Sequence, residues 1–131
     1  MPFDYAIDRE NRLLTITGSG HASMDDRYDL VQRVMNDQSI DGSYQVLIDV
    51  CGVSNSPSAG DIGSVASLIE RLQSKFRGRV AILNTGVGHV TVTNLIALVA
   101  DYGDDNVRAF LSGNEAREWL LASVSLARAQ T

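Results

Sequence analysis

The chain has 131 residues, near-average shares of charged and apolar residues, and a net charge of −5. These values exclude a disordered or fibrous protein and predict one globular domain over residues 1–131. The acidic balance and the single lysine, Lys75, argue against nucleic acid as the main partner, because phosphate binding needs clustered cations. One cysteine leaves no internal disulfide, no apolar run approaches the roughly 18 residues of a membrane span, and the N-terminus lacks a signal-peptide pattern, so we expect a cytoplasmic protein.

The first part of the chain predicts a β-hairpin followed by a helix. Residues 3–8 alternate between apolar and polar or small side chains, residues 9–12 form a polar turn, and residues 13–17 resume a strand pattern that Gly18 and Gly20 should end. A helix is predicted over about residues 24–36, because Ser23 and Asp26 form a capping-box pattern before it. Its expected apolar face comprises Met24, Tyr28, Val31, Val34 and Met35.

The stretch YQVLIDVCGVSNSPSAGDI, residues 44–62, organises the rest of the chain. Its first part is an apolar run typical of a strand buried on both faces, in which we expect Cys51 to be a buried, unreactive thiol. A polar loop follows, and a helix is predicted from near Gly60 or Asp61 to about Phe76. We expect Ile69 to be fully buried in the apolar face of that helix, which also contains Ile62, Val65, Leu68, Leu72 and Phe76.

The remainder predicts two more strands and two more helices. Residues 80–83 read as a buried strand, residues 92–102 as a helix and residues 107–111 as an edge strand. Ser112 begins a capped terminal helix that should fray beyond about Leu126. The order β-β-α-β-α-β-α-β-α predicts a single α/β domain: a central mixed sheet of about five strands, with an antiparallel opening pair and helices mainly on one side.

Catalysis and metal binding find little support in the sequence. His21 and His89 both fall in predicted loops, and no nucleophile motif accompanies them. The cysteine and histidines have no zinc spacing, and Asp104-Asp105-Asn106 is most simply a turn. The segment Gly86-Val87-Gly88 lacks the third glycine of a dinucleotide fingerprint and the lysine of a P-loop. We therefore predict no catalytic residue, no metal and no cofactor.

The polar loop after the central strand is the strongest candidate site. Ligands of open α/β sheets meet the carboxyl ends of strands, and free N–H groups at a helix start favour an anion. A phosphate on Ser58 would lie in that favourable field. The alternative is that Ser58 is a simple helix cap and the other serines only solvate the loop. The candidate interaction loop comprises Ser54, Ser56, Pro57, Gly60 and Asp61.

Five segments of the chain resemble one known family. They are LTITGSG, VLIDVCGVSNSPSAGDI, RVAILNTG, VRAFLS and the Glu115-Ala116-x-x-Trp119-Leu120 ending. This family is the STAS superfamily, the sulfate transporter and anti-sigma factor antagonist domains, and in particular its SpoIIAA-like branch. The resemblance covers nearly the whole chain. It implies a loop in which a serine of an Asp-Ser-Ser-Gly motif is phosphorylated by a partner anti-sigma factor that is itself a kinase.

A gapless match places Pro57-Ser58-Ala59-Gly60 on that motif, with Ser58 as the phosphoacceptor. Pro57 replaces the aspartate of the motif and Ala59 replaces its second serine. The SpoIIAA-like branch is also similar to SEC14-type lipid-binding domains, which implies a site for an apolar ligand.

Three functions remain open at this point. The first, which we favour, is a regulatory protein-interaction domain that is switched at Ser58 and binds a partner such as an anti-sigma factor-like kinase. The second is a carrier or sensor of a small apolar, lipid or anionic ligand, and the third is an enzyme, which has the least support. The sequence fixes neither the partner nor the oligomeric state, and it is compatible with a dimer.

Overall fold

The computed structural model describes residues 2–55, 60–76, 78–85 and 106–129. Its strands are β1 (Phe3–Asp8), β2 (Leu13–Gly20), β3 (Gln45–Val53), β4 (Val80–Leu83) and β5 (Val107–Phe110). Its helices are α1 (Met24–Asn36), α2 (Ile62–Lys75) and α3 (Gly113–Ala129). The helix predicted over residues 92–102, the Gly86-Val87-Gly88 segment, His89 and Asp104-Asp105 lie outside the described residues.

The five strands form one mixed sheet in chain order. β1 pairs with β2 in antiparallel register, whereas the pairs β2–β3, β3–β4 and β4–β5 are all parallel. α1 links β2 to β3 and α2 links β3 to β4, since neighbouring parallel strands require a crossover connection. The architecture confirms the predicted α/β class, the antiparallel opening pair and the edge position of β5.

Successive residues of a strand point to opposite faces of the sheet, and helices pack against both faces. On one face, Val46 of β3 and its neighbour Val80 of β4 belong to a core that includes residues of α1 and α2. On the other face, Leu47 packs in a smaller core with Leu120 of α3. Two of the three described helices therefore lie on one side of the sheet and α3 lies on the other.

The capping box predicted before α1 is confirmed. The Ser23 hydroxyl accepts a hydrogen bond from the Asp26 N–H at 3.1 Å, and the Asp26 carboxylate accepts one from the Ser23 N–H at 2.9 Å. The predicted apolar face is partly wrong, because Tyr28 is 46% exposed. The buried side of α1 is centred near Leu30 and Val34, and Tyr28 lies away from that side of the helix.

The helix after the central strand has the predicted bounds and the predicted buried face. α2 begins after its N-cap residue Asp61 and ends before Phe76, and Ile69 is only 4% exposed. At its last turn, Lys75 Nζ donates to the carbonyl oxygens of Val34 and Asp37, each at 2.8 Å. A cation thus caps the C-terminus of α1, where the helix dipole is negative.

β2 runs three residues further than predicted. The sequence predicts that Gly18, Ser19 and Gly20 end the strand, but β2 includes all three, ends at Gly20 and shifts register between Thr17 and Ser19. A side chain at Gly18 would lie 2.6 Å from Val53 Cγ2 and 2.7 Å from Phe3 Cε1. The glycine therefore allows close packing within a strand rather than ending it.

Candidate functional site

The central strand β3 extends beyond the neighbouring strand β4. Its pairing with β4 ends where Asp49 lies opposite Leu83, whereas its pairing with β2 continues to Val53. Cys51 and Gly52 are exposed in this last part of the strand. The prediction of a strand buried on both faces is therefore correct for residues 45–47 and wrong for the carboxyl end.

The exposure of Cys51 corrects the prediction of a buried thiol. The apolar run predicted a strand buried on both faces, but β4 has four residues and ends before it reaches Cys51. The Cys51 N–H donates to Asp49 Oδ1 at 3.0 Å. Its Sγ accepts a hydrogen bond of 3.5 Å from the hydroxyl of Thr85, which follows β4. The carboxyl ends of β3 and β4 thus meet at a polar surface that includes a thiol.

Asn55 fastens the start of the loop after β3 to the segment between β2 and α1. Its Oδ1 accepts from the Ala22 N–H at 2.8 Å, and its Nδ2 donates to the Ala22 carbonyl oxygen at 2.9 Å. The N–H of Ser54 donates to the Gly20 carbonyl oxygen at 2.9 Å. Three hydrogen bonds therefore fix the direction in which the chain leaves the sheet.

Arg27 provides a cation beside this loop. Its Nη1 donates to the Ala22 carbonyl oxygen at 3.1 Å, so that one oxygen accepts from both Asn55 and Arg27. Burial lowers the pKa of the Arg27 guanidinium, while the carboxylates of Asp61 and Asp26 act in the opposite direction. A half-buried positive charge therefore lies near the N-cap of α2.

The predicted loop residues fall into two groups. Ser54 and Gly60 are exposed, and Asp61 is the N-cap residue of α2, although its side chain makes no hydrogen bond to that helix. Ser56, Pro57 and Ser58 lie outside the described residues. Asp61 directly precedes the first residue of α2, and the interpretation of Ser58 as a helix cap stays a prediction because Ser58 lies outside the described residues.

Two residues of this surface, Asn55 and Arg27, were missed by the sequence analysis. Asn55 follows a strand in a turn-rich stretch, which is a usual place for a side chain that bonds to backbone groups. Its partner lies 33 residues away along the chain, and no local pattern identifies it. In the sequence, Arg27 cannot be distinguished from an ordinary surface arginine of an amphipathic helix, because the residues of α2 near it are distant along the chain.

Other reactive side chains are few at this surface. His21 is exposed at the end of β2, and within residues 2–55, 60–76, 78–85 and 106–129 no cluster of His, Cys, Asp and Glu could hold a metal ion. Among the helices of those same ranges, none is both long enough and apolar enough to cross a membrane. Among the described residues, this surface presents backbone, hydroxyl and amide groups beside the Arg27 guanidinium.

Comparison of the chain with protein-family models and with curated proteins gave no match. The resemblance to STAS domains therefore stays a prediction from the sequence.

Proposed function

We propose that the protein is a regulatory interaction domain that binds a partner protein through the loop after β3. The observation that carries the proposal is the carboxyl end of β3, which projects past β4 and is exposed at Cys51 and Gly52. Asn55 then holds the chain at a defined exit point. A loop presented from a rigid sheet is a common arrangement for recognition.

The proposed switch is phosphorylation of Ser58, as the resemblance to anti-sigma factor antagonists implies. Support comes from the electrostatics of the flanking residues. The first turn of α2 contains no acidic residue, and the Arg27 guanidinium lies near its N-cap. Both features favour a phosphate at the positive end of a helix dipole, although the Asp61 carboxylate opposes it in part.

The switch would act on the partner rather than on the fold. A phosphate adds close to two negative charges at pH 7. The start of α2 and Arg27 would receive these charges with little loss of stability, whereas the outer surface of the loop would become strongly negative. A partner docked on that surface would lose affinity through repulsion and desolvation.

The experiment is an affinity capture from lysate of the source organism with four forms of the protein. These are the wild type, Ser58→Ala, Ser58→Asp and the control Ser67→Asp. Ser67 is exposed on α2, and its described hydrogen bond is to the Gly63 carbonyl of its own helix, so the control adds the same charge away from the loop. We expect one partner to be recovered by all forms except Ser58→Asp.

Equal recovery of every protein by all four forms would contradict the switch. Loss of a partner with both aspartate variants would also contradict it, because a general charge effect would then explain the result. Native mass spectrometry of the wild type addresses the second function. A lipid that co-purifies in stoichiometric amount would favour a carrier of an apolar ligand over the proposed interaction domain.

A further inference from the structure

A cluster of two arginines and a tryptophan lies near the amino ends of β4 and β5, away from the loop that follows the carboxyl end of β3. Arg79 immediately precedes β4, Arg108 is in the first half of β5, and Trp119 is in α3. The guanidinium carbons of Arg79 and Arg108 lie 4.7 Å and 5.2 Å from the centroid of the Trp119 ring. The ring attracts each cation through its quadrupole but neutralises neither.

The two arginines have different roles in the fold. Arg79 Nη1 donates to the Trp119 carbonyl oxygen at 2.8 Å, and Gln45 Nε2 donates to the next carbonyl, that of Leu120, at 2.7 Å. Arg79 therefore helps to attach α3 to the sheet. Arg108 is exposed, and its described contact is with the face of Trp119. The ring thus positions its guanidinium, whose hydrogen-bond donors have no acceptor among the described residues.

Within the described residues, no carboxylate lies within 4.0 Å of a guanidinium nitrogen of Arg79 or Arg108. The ion pair found there joins Arg12 and Asp41. Two guanidinium groups beside one ring thus form a positive site, unpaired within the described residues, in a protein whose net charge is −5. Guanidinium groups bind carboxylates in a planar, two-bond geometry, so the cluster matches a ligand with two carboxylates.

We propose that the cluster of Arg79, Arg108 and Trp119 binds an acidic peptide segment of a partner protein. Phe110, whose ring centroid is 5.5 Å from that of Trp119, extends the aromatic surface along β5 and suits the aliphatic part of glutamate side chains. A nucleic acid fits less well, because a phosphate backbone needs a longer run of cations than this one. This surface is separate from the loop after β3, and the proposal does not depend on the function assigned to that loop.

The test uses the fact that Trp119 is the single tryptophan of the chain, so that its fluorescence reports directly on the cluster. The full chain is titrated at low salt with a hexaglutamate peptide that has blocked termini, and with a hexaglutamine peptide as the neutral probe. We expect a saturable change in tryptophan emission with hexaglutamate alone. Raising the salt concentration should weaken this binding, because the contacts are exposed and charged.

Variants at the exposed arginine test which residues are responsible. Arg108→Gln should raise the Kd for hexaglutamate about 1.5- to fivefold, the range for one exposed charge pair, and Arg108→Glu should abolish binding. Arg9→Gln, which removes the same charge from the exposed β1–β2 turn, is the matched control and should leave the Kd unchanged. Because Arg108 is exposed and has no described hydrogen bond, circular dichroism should show that both variants at this position remain folded.

Three results would overturn the proposal. The first is an unchanged emission with hexaglutamate, and the second is equal values of Kd for Arg108→Gln and Arg9→Gln. The third is tighter binding of a single-stranded oligonucleotide of equal charge, which would assign the surface to nucleic acid instead.

Discussion

The two halves of β3 have opposite surroundings. The first half, residues 45–47, is buried between β2 and β4 and between two layers of helices, whereas the second half passes the end of β4 and is exposed at Cys51 and Gly52. The same strand thus contributes both to the core and to the surface that we propose for recognition. The difference arises from the length of a neighbouring strand and not from the hydrophobicity of β3 itself.

The largest expected effect concerns the core side of this comparison. Ile69→Ala should reduce the free energy of unfolding by about 2–5 kcal/mol, because a buried aliphatic side chain is lost and a cavity remains. Urea unfolding provides the measurement. Ser67→Ala, on the exposed side of the same helix, is the control and should change stability by less than about 0.5 kcal/mol. A loss below about 1 kcal/mol for Ile69→Ala would mean that α2 does not pack as described.

A second substitution tests the close packing of β2 against its neighbours β1 and β3. Gly18→Ala should cost about 1–3 kcal/mol, because the added methyl group would lie too close to Val53 and Phe3. Gly63→Ala is the matched control: its added methyl group meets no atom within 4 Å, so the change should stabilise α2 slightly. Thermal unfolding of both variants distinguishes the two cases. Similar shifts of Tm in one direction would contradict the close packing at Gly18.

Substitutions of Asn55 test whether this side chain fixes the point at which the chain leaves β3. Asn55→Ala removes two hydrogen bonds and leaves the N–H of the buried Ala22 without this partner, so we expect a loss of about 1–2 kcal/mol. Hydrogen exchange should show faster exchange of the Ala22 amide. Asn55→Asp retains the acceptor and should preserve more of the protection of this amide than Asn55→Ala. Unchanged exchange in both variants would mean that Asn55 does not hold the loop.

The smallest expected effect is a dependence on pH at the start of α1. Hydrogen bonds from the Ser23 N–H and hydroxyl hold the pKa of the Asp26 carboxyl below its ordinary value of 3.8. A carboxyl group whose pKa is lower in the folded state stabilises the fold above its unfolded pKa, and this contribution disappears as the pH falls through the folded pKa. Stability should therefore decrease below about pH 4.

The substitution Asp26→Asn checks the origin of this effect. It should make the stability less dependent on pH between about pH 2 and 5, as measured by urea unfolding across that range. Asp25→Asn removes a carboxylate from the same helical turn without affecting the hydrogen bonds of Ser23, and serves as the control. An identical pH profile for Asp26→Asn and Asp25→Asn would assign the effect to general charge.

Much of the fold followed from local patterns in the sequence. The capping residues Ser23 and Asp26, the apolar spacing around Ile69 and the alternation of strands and helices predicted the helices and the mixed sheet, because each pattern depends on neighbouring residues. Gly18 was misjudged because a glycine that ends a strand and a glycine that permits close packing look alike in sequence.

The candidate site could be predicted only in part. Its position after β3 followed from a general property of α/β sheets, and Asp61 and Ser54 do flank the loop. The exposure of Cys51 depends on where β4 ends, and the bond from Asn55 to Ala22 depends on how distant segments meet. Such facts are set by tertiary contacts, which a single sequence does not contain.

The most direct measurement of the central claim is the rate at which a thiol reagent labels Cys51. In the native protein this rate should lie within about tenfold of the rate in urea, because the thiol is exposed on the projecting end of β3. When the captured partner is bound to the wild type, labelling should slow markedly. The account would be contradicted if the free native protein were labelled hundreds of times more slowly than the unfolded chain, or if the partner left the rate unchanged.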